Sequence, residues 1–140
     1  MKILFIGDIV GEPGRRAVKN LIPGIVVRYE IDIIIANCEN AAGGLGVTRE
    51  VVEELYKCDI DVLTSGNHIW DKKGVVEFID EYETLIRPAN YPAGSLGRGS
   101  VSVKDGSGEA VGVINLQGRI FMKPLDCPFR VAEKEIDGLR

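Results

Sequence analysis

Three apolar runs rich in β-branched residues recur along the first half of the chain, and small or polar residues follow each run at once. They cover Lys2–Ile6, Ile31–Ala36 and Asp61–Thr64. Such runs are typical of buried strands in a parallel sheet. Their ends lie roughly 30 residues apart, which is the length of one strand–helix–strand unit. The sequence therefore predicts an α/β fold with a largely parallel first sheet and a buried first strand.

The segments between these runs have the spacing of amphipathic helices. Apolar residues recur on one side of Gly14–Tyr29, and Pro23 is expected to kink or split that helix. A second helix is predicted over Thr48–Lys57 and a third over Asp71–Tyr82, each capped by its first residue. Together with the strands, these helices complete the alternating pattern of an α/β protein.

The last third of the chain has a different pattern. Gly99–Val103 and Ala110–Leu116 flank the turn sequence Asp105–Gly108, which predicts a β-hairpin. Val131–Arg140 is expected to begin a charged helix. No repeat or low-complexity linker interrupts the chain.

The composition excludes several classes of protein. The chain has 140 residues, of which 45% are hydrophobic and 27% charged, as in a globular domain rather than a disordered segment. No apolar run approaches the ~20 residues of a membrane span, so we expect a cytoplasmic protein without membrane contact. The net charge of −4 argues against a large nucleic-acid surface and is compatible with bound divalent metal.

The three cysteines are too widely spaced to form a familiar site. Cys38, Cys58 and Cys127 make neither a C-x-x-C zinc pattern nor a disulfide framework. We interpret them as buried thiols in a reducing compartment.

Polar side chains follow all three predicted strands at the point where each strand ends. They are Asp8, Glu39, Asn40, Asn67 and His68. The carboxyl ends of parallel strands share one edge of the sheet, where α/β proteins bind their ligands. Carboxylate and amide oxygens suit hard or borderline cations, and imidazole suits iron, manganese or zinc. We therefore expect these residues to converge on a site that can hold divalent metal.

Each of these residues also has a purely structural interpretation. Asp8 could cap a helix, Glu39 and Asn40 could form a polar turn, and Asn67 could supply turn geometry. His68 is the only histidine, and a lone histidine is often structural. Its position directly after a strand favours a functional role.

Several short motifs closely resemble the YmdB-like family of bacterial metallophosphoesterases. They are Gly7–Gly11, Glu39–Gly46, Gly66–Asp71, Arg87–Asn90 and Asn115–Arg119. The resemblance extends over essentially the whole chain. It implies a metallophosphoesterase-like layered α/β fold and a phosphodiesterase that acts on cyclic nucleotides with two divalent metal ions, iron or manganese.

The resemblance also implies a role for each site residue. Asp8 and Asn40 would bind the first metal, Asn67 the second, and Glu39 would bridge both. His68 would be the catalytic acid that protonates the leaving oxygen. General acid catalysis of this kind typically contributes ~100–10,000-fold in rate.

Family members are roughly twice this length, and three more histidine ligands lie in their second half. We therefore expect residues 1–140 to form a single partial domain, the N-terminal half of a truncated fold, with little activity alone. Its exposed apolar surface should favour homo-oligomers or docking of a complementing C-terminal half. The alternative is a non-catalytic phosphate-binding or interaction module derived from such an enzyme.

Overall fold

Four parallel strands form the main sheet in the order in which they occur along the chain. The computed structural model describes all residues, 1–140. The strands are β1 (Ile3–Ile6), β2 (Ile33–Asn37), β3 (Val62–Thr64) and β4 (Leu85–Ile86). The predicted α/β fold with a parallel first sheet is confirmed. The short β4 had no recognisable signal in the sequence.

Two helices connect the first three strands and cover one face of the sheet. They are α1 (Gly11–Tyr29) and α2 (Arg49–Tyr56). Thr48 caps α2 as predicted, since its Oγ1 accepts a hydrogen bond from the amide of Val51 at 3.4 Å. Pro23 does not split α1, which is one continuous helix. Pro23 is exposed, so the carbonyl group that loses its helical partner can reach water.

The predicted helix over Asp71–Tyr82 is wrong. That stretch contains short 3-10 helices at Lys73–Glu77 and Ile79–Glu81, and another at Asn67–Trp70 precedes it. The apolar residues of the stretch have helical spacing, but Val76 is 52% exposed and does not join the core. Successive short turns bury the other apolar side chains without a regular α-helix.

The antiparallel hairpin covers the other face of the sheet. It consists of β5 (Ser100–Lys104) and β6 (Ala110–Ile114), as predicted within two residues, and α3 (Pro128–Leu139) packs on it. The sheet therefore lies between two apolar cores. On this second face, the sheet residues Ile33, Ile35, Val62 and Ile86 pack against Val113 of the hairpin.

The first strand is not buried, contrary to the prediction. It lies at the edge of the sheet, and the hairpin does not extend over it. Leu4 and Ile6 pack against the helical core, whereas Ile3 is 45% exposed and Phe5 is 61% exposed. The first strand is apolar on both faces, but only the face that packs against the helices is covered in this chain. No helix has both the length and the apolar character needed to cross a bilayer.

Candidate functional site

The predicted site residues all follow strands at the same edge of the sheet. Asp8 follows β1, Glu39 and Asn40 follow β2, and Asn67 and His68 begin the 3-10 helix after β3. Hydrogen bonds continue between these segments beyond the strands. The amide of Ile9 donates to the Asn37 carbonyl at 3.0 Å, and the amide of Cys38 donates to the Thr64 carbonyl at 2.9 Å. These backbone hydrogen bonds therefore keep the segments aligned just beyond the ends of the strands.

Asp8 and Asn40 are in direct contact. The Asn40 side-chain nitrogen donates to Oδ2 of Asp8 at 2.7 Å. The carboxylate can only accept, so this bond fixes which way the amide faces. The Oδ1 atom of Asn40 is buried and has no hydrogen-bond partner. Asp8 does not cap α1, whose N-cap is Val10.

Glu39 joins the second strand to the third. Its Oε2 accepts a hydrogen bond from the backbone amide of His68 at 3.0 Å. The carboxylate also lies directly against Gly66, where an added Cβ atom would be 2.5 Å from Oε2 and 2.6 Å from Oε1. Position 66 must therefore be glycine for Glu39 to keep this position.

His68 has a partner that sequence reasoning missed. Its Nδ1 lies 2.6 Å from Oδ2 of Asp71, three residues along the chain. The Asp71 carboxylate accepts a hydrogen bond from the Nδ1–H group of His68, which leaves Nε2 as the nitrogen that faces other groups. The His68 side chain is 36% exposed, so a small molecule can reach it. Asp71, predicted to cap a helix, instead orients the histidine.

Asn67 is exposed and lines a cavity together with His68. No hydrogen bond joins its side chain to the other predicted site residues. The structure thus pairs Asp8 with Asn40 and Glu39 with the backbone of His68, and places Asn67 beside them at the same edge.

Arg15 supports the loop that carries Glu39 and Asn40. Its Nη1 donates to the Ala41 carbonyl at 2.6 Å, and its Nε donates to Oε2 of Glu54 at 2.8 Å. Sequence reasoning missed this residue as well. The available signal was its helical spacing from Val18 and Ile22, which places a charged residue on the inward stripe of α1.

Cys38 lies within the same loop, and its surroundings keep its thiol unreactive. Burial, and then the nearby charge of Glu39, raise the pKa of the Cys38 thiol to about 12. The thiolate is the form that attacks or binds metal. Cys38 therefore remains a neutral, buried side chain that packs beneath the site.

The sequence model of the YmdB-like protein family matches residues 4–140. The chain belongs to the YmdB-like family. It is 48% identical over 136 residues to the 2′,3′-cyclic-nucleotide 2′-phosphodiesterase of Bacillus subtilis, and the match covers 97% of this chain and 51% of that protein. The expected family membership is thus confirmed.

Two crystal structures have the same fold as this YmdB-like chain. One is a hypothetical protein from Thermus thermophilus, with a TM-score of 0.89 and 44% identity over 98% of this chain and 53% of that chain. The other is a novel phosphatase from Mycoplasma pneumoniae, with a TM-score of 0.89 and 28% identity over 99% of this chain and 51% of that chain. They confirm the expected metallophosphoesterase-like fold. The names of the Bacillus subtilis phosphodiesterase and the Mycoplasma pneumoniae phosphatase place the chain in a family of enzymes.

The chain spans about half the length of these YmdB-like relatives. No three His, Cys, Asp or Glu side chains are grouped closely enough to hold a metal ion by themselves. The site at the sheet edge consists of the two carboxylates of Asp8 and Glu39, the two amides of Asn40 and Asn67, and the single histidine His68.

Proposed function

We propose that this chain supplies the first half of the active site of a metal-dependent phosphodiesterase. The buried, unpartnered Oδ1 of Asn40 carries the proposal. A buried polar atom normally has a partner, and this oxygen lies beside a carboxylate in a place where a cation would satisfy both. Asp8, Glu39, Asn40 and Asn67 would hold two divalent ions, iron or manganese.

Divalent ions at this edge would offset the negative charge of a phosphodiester and activate water for attack on phosphorus. The residues of the chain have separate tasks. Glu39 would lie between the two ions, in the position that Gly66 leaves open for it. His68 would donate its Nε2 proton to the leaving oxygen, while Asp71 holds the ring through Nδ1.

The substrate would be a small phosphodiester such as a cyclic nucleotide. The name of the Bacillus subtilis relative supports this choice, since that protein is a 2′,3′-cyclic-nucleotide 2′-phosphodiesterase. The alternative role as a phosphate-binding module would use the turn between β1 and α1 and the first residue of α1. There the Gly11 amide already donates to the Asn40 carbonyl at 2.9 Å, so it is not free for phosphate.

The first test compares the isolated chain with a full-length relative. Hydrolysis of 2′,3′-cyclic AMP would be measured with manganese or iron(II), before and after addition of the separately made second half of the Bacillus subtilis protein. We expect little activity from the chain alone and recovery on addition. Turnover by the chain alone within about tenfold of the relative, a barrier difference of only ~1.4 kcal/mol, would contradict the proposal that ligands from a second half are needed.

The second test separates the two assigned roles in a full-length protein that carries this chain. Glu39→Gln should lower bound metal and turnover together, because a neutral amide bridges two cations poorly. His68→Ala should lower turnover and leave bound metal unchanged. Glu133→Gln, at an exposed position on α3, is the matched control. Loss of both metals in His68→Ala would show that His68 is a ligand rather than a proton donor.

A further inference from the structure

A cavity of about 440 Å³ opens beside His68. Its volume is within the usual range of small-molecule pockets, ~300–1,000 Å³. Three separate parts of the chain form its walls. They are the 3-10 helix with His68 and Trp70, the loop with Tyr91, and the segment 117–125. The cavity therefore adjoins the position at which the proposed reaction would occur.

Three aromatic side chains, Trp70, Tyr91 and Phe121, line the cavity. The rings of Trp70 and Tyr91 are 5.8 Å apart between centroids and meet edge to face, at 83°. Phe121 also lines the cavity, and its side chain is fully exposed. An exposed phenylalanine with a positive φ of 59° is unusual, since neither burial nor an ordinary backbone conformation accounts for it. Flat aromatic surfaces of this kind stack on nucleobases.

The cavity also contains polar groups that are free to bind a ligand. The hydroxyl of Tyr91 donates to Oε1 of Gln117 at 3.5 Å, and the side-chain nitrogen of Gln117 has no partner within the chain. Lys123 lines the cavity with an exposed ammonium group that is in no ion pair. An amide donor, a cation and aromatic faces together match a nucleotide better than a phosphodiester that lacks a base.

A single buried residue holds the segment 117–125 in place. The side-chain nitrogen of Asn90 donates to the carbonyls of Gln117 at 2.8 Å and Asp126 at 3.1 Å. Its Oδ1 accepts from the amide of Gln117 at 2.9 Å. The Asn90 carbonyl also accepts from the amide of Asp126 at 3.0 Å. Both ends of the segment are therefore tied to the residue that precedes Tyr91.

We propose that this cavity is a nucleobase subsite, in which Trp70, Tyr91 and Phe121 contact the base and determine substrate specificity. Gln117 would donate a hydrogen bond to the edge of the base. This assignment rests on the proposed function, because it places the phosphodiester beside His68. It adds a region that recognises the base, which is the part of the substrate that does not react.

Binding can be measured directly because Trp70 is the only tryptophan. Its fluorescence would be followed while the chain is titrated with adenosine 3′-monophosphate in the presence of a metal chelator, and separately with ribose 5-phosphate. We expect saturable quenching by the nucleotide and none by ribose 5-phosphate. Equal responses to the two probes, or no response to either, would overturn the proposal.

Two variants test the aromatic walls. Tyr91→Leu and Phe121→Ala should each weaken nucleotide binding about tenfold through loss of stacking. Phe121 is fully exposed, so its removal tests the subsite even if Tyr91→Leu does not fold. Tyr29→Leu, at the far end of α1, is the matched control and should bind normally. Unchanged affinity in folded Phe121→Ala would contradict the role of these walls.

Kinetics of a full-length protein that carries this chain separate this proposal from the proposed function. Hydrolysis of 2′,3′-cyclic AMP would be compared with hydrolysis of the base-free cyclic phosphate of ribose. We expect about tenfold higher kcat/KM for the nucleotide, reduced by Phe121→Ala. Equal values would overturn the subsite and leave the proposed function standing. Hydrolysis of neither substrate would overturn the proposed function, and the fluorescence titration would then decide the subsite alone.

Discussion

The Nδ1 atom of His68 lies 2.6 Å from the Oδ2 atom of Asp71. The carboxylate fixes the proton on Nδ1 and the orientation of the ring. Asp71→Asn preserves the shape but can also donate to Nδ1, so it no longer selects one tautomer. In a full-length protein with this chain, we expect turnover to fall about 10–100-fold with bound metal unchanged.

Turnover and metal content would be measured on the same samples of Asp71→Asn. Asp137→Asn, at an exposed position on α3, is the control for loss of one carboxylate. Normal turnover in Asp71→Asn would mean that the orientation of His68 does not depend on this contact.

Gly66→Ala should displace the carboxylate of Glu39. An added Cβ atom would lie 2.5 Å from Oε2 of Glu39, closer than real contacts allow. We expect weaker manganese binding, measured by calorimetry on the full-length protein. Gly24→Ala in α1 is the control, because nothing lies within 4 Å of that position. It should bind normally and gain about 0.5–1 kcal/mol in stability. Equal manganese affinity in the two variants would show that Glu39 does not bind metal.

Arg15→Lys should destabilise the fold. A lysine cannot reproduce the two separate hydrogen bonds from Nε and Nη1, so the Ala41 carbonyl or Glu54 loses its partner. We expect a loss of about 1–3 kcal/mol in the free energy of unfolding, measured by urea denaturation. The neighbouring Arg16→Lys changes an exposed residue and should have no measurable effect. The prediction fails if the two variants unfold at the same urea concentration.

The three thiols should differ in their rates of alkylation by iodoacetamide. Burial raises the pKa of Cys38 to about 12, so its reactive thiolate is scarce at about pH 8. Burial also raises the pKa of Cys58, whereas a hydrogen bond from the Arg130 amide lowers that of Cys127. Mass spectrometry should show Cys127 modified first and Cys38 last. Early modification of Cys38 in folded protein would contradict its assignment as an inert side chain.

Phe5→Ser should reduce self-association of the isolated chain. Phe5 and Ile3 are exposed side by side on an edge strand, an arrangement that promotes pairing between molecules. Sedimentation velocity over a range of concentrations would measure the effect. Val27→Ser is the control, since Val27 is 80% exposed on α1 away from that strand. If both variants reduce association equally, the first strand is not the contact.

The strands and the position of the site were predictable because apolar runs and the residues that follow them are local signals. The runs that end near Ile6, Asn37 and Thr64 are strands within two residues of the predicted bounds. Parallel pairing then places the following polar residues at one edge. Thr48 was equally predictable, since a cap and the helix that it begins are adjacent.

The remaining features depend on contacts between distant parts of the chain. Asp71 has a good helix-capping sequence, but its side chain bonds to His68 instead. Exposure of Phe5 depends on how far the hairpin extends across the sheet, which no local pattern records. The bond from Arg15 to Ala41 joins residues 26 positions apart. The roles of the site residues stay predictions, because they depend on bound ions.

The way in which Asn90 secures the segment 117–125 has an evolutionary consequence. All of its bonds to the ends of this segment involve backbone atoms of Gln117 and Asp126. The intervening residues can therefore be exchanged, or their number changed, without breaking those bonds. The polar residues after the strands come from other segments and would not be disturbed. Selection can thus alter which substrates bind beside the segment 117–125 while the residues proposed for hydrolysis stay the same. Substrate preference and the hydrolytic reaction can therefore evolve independently.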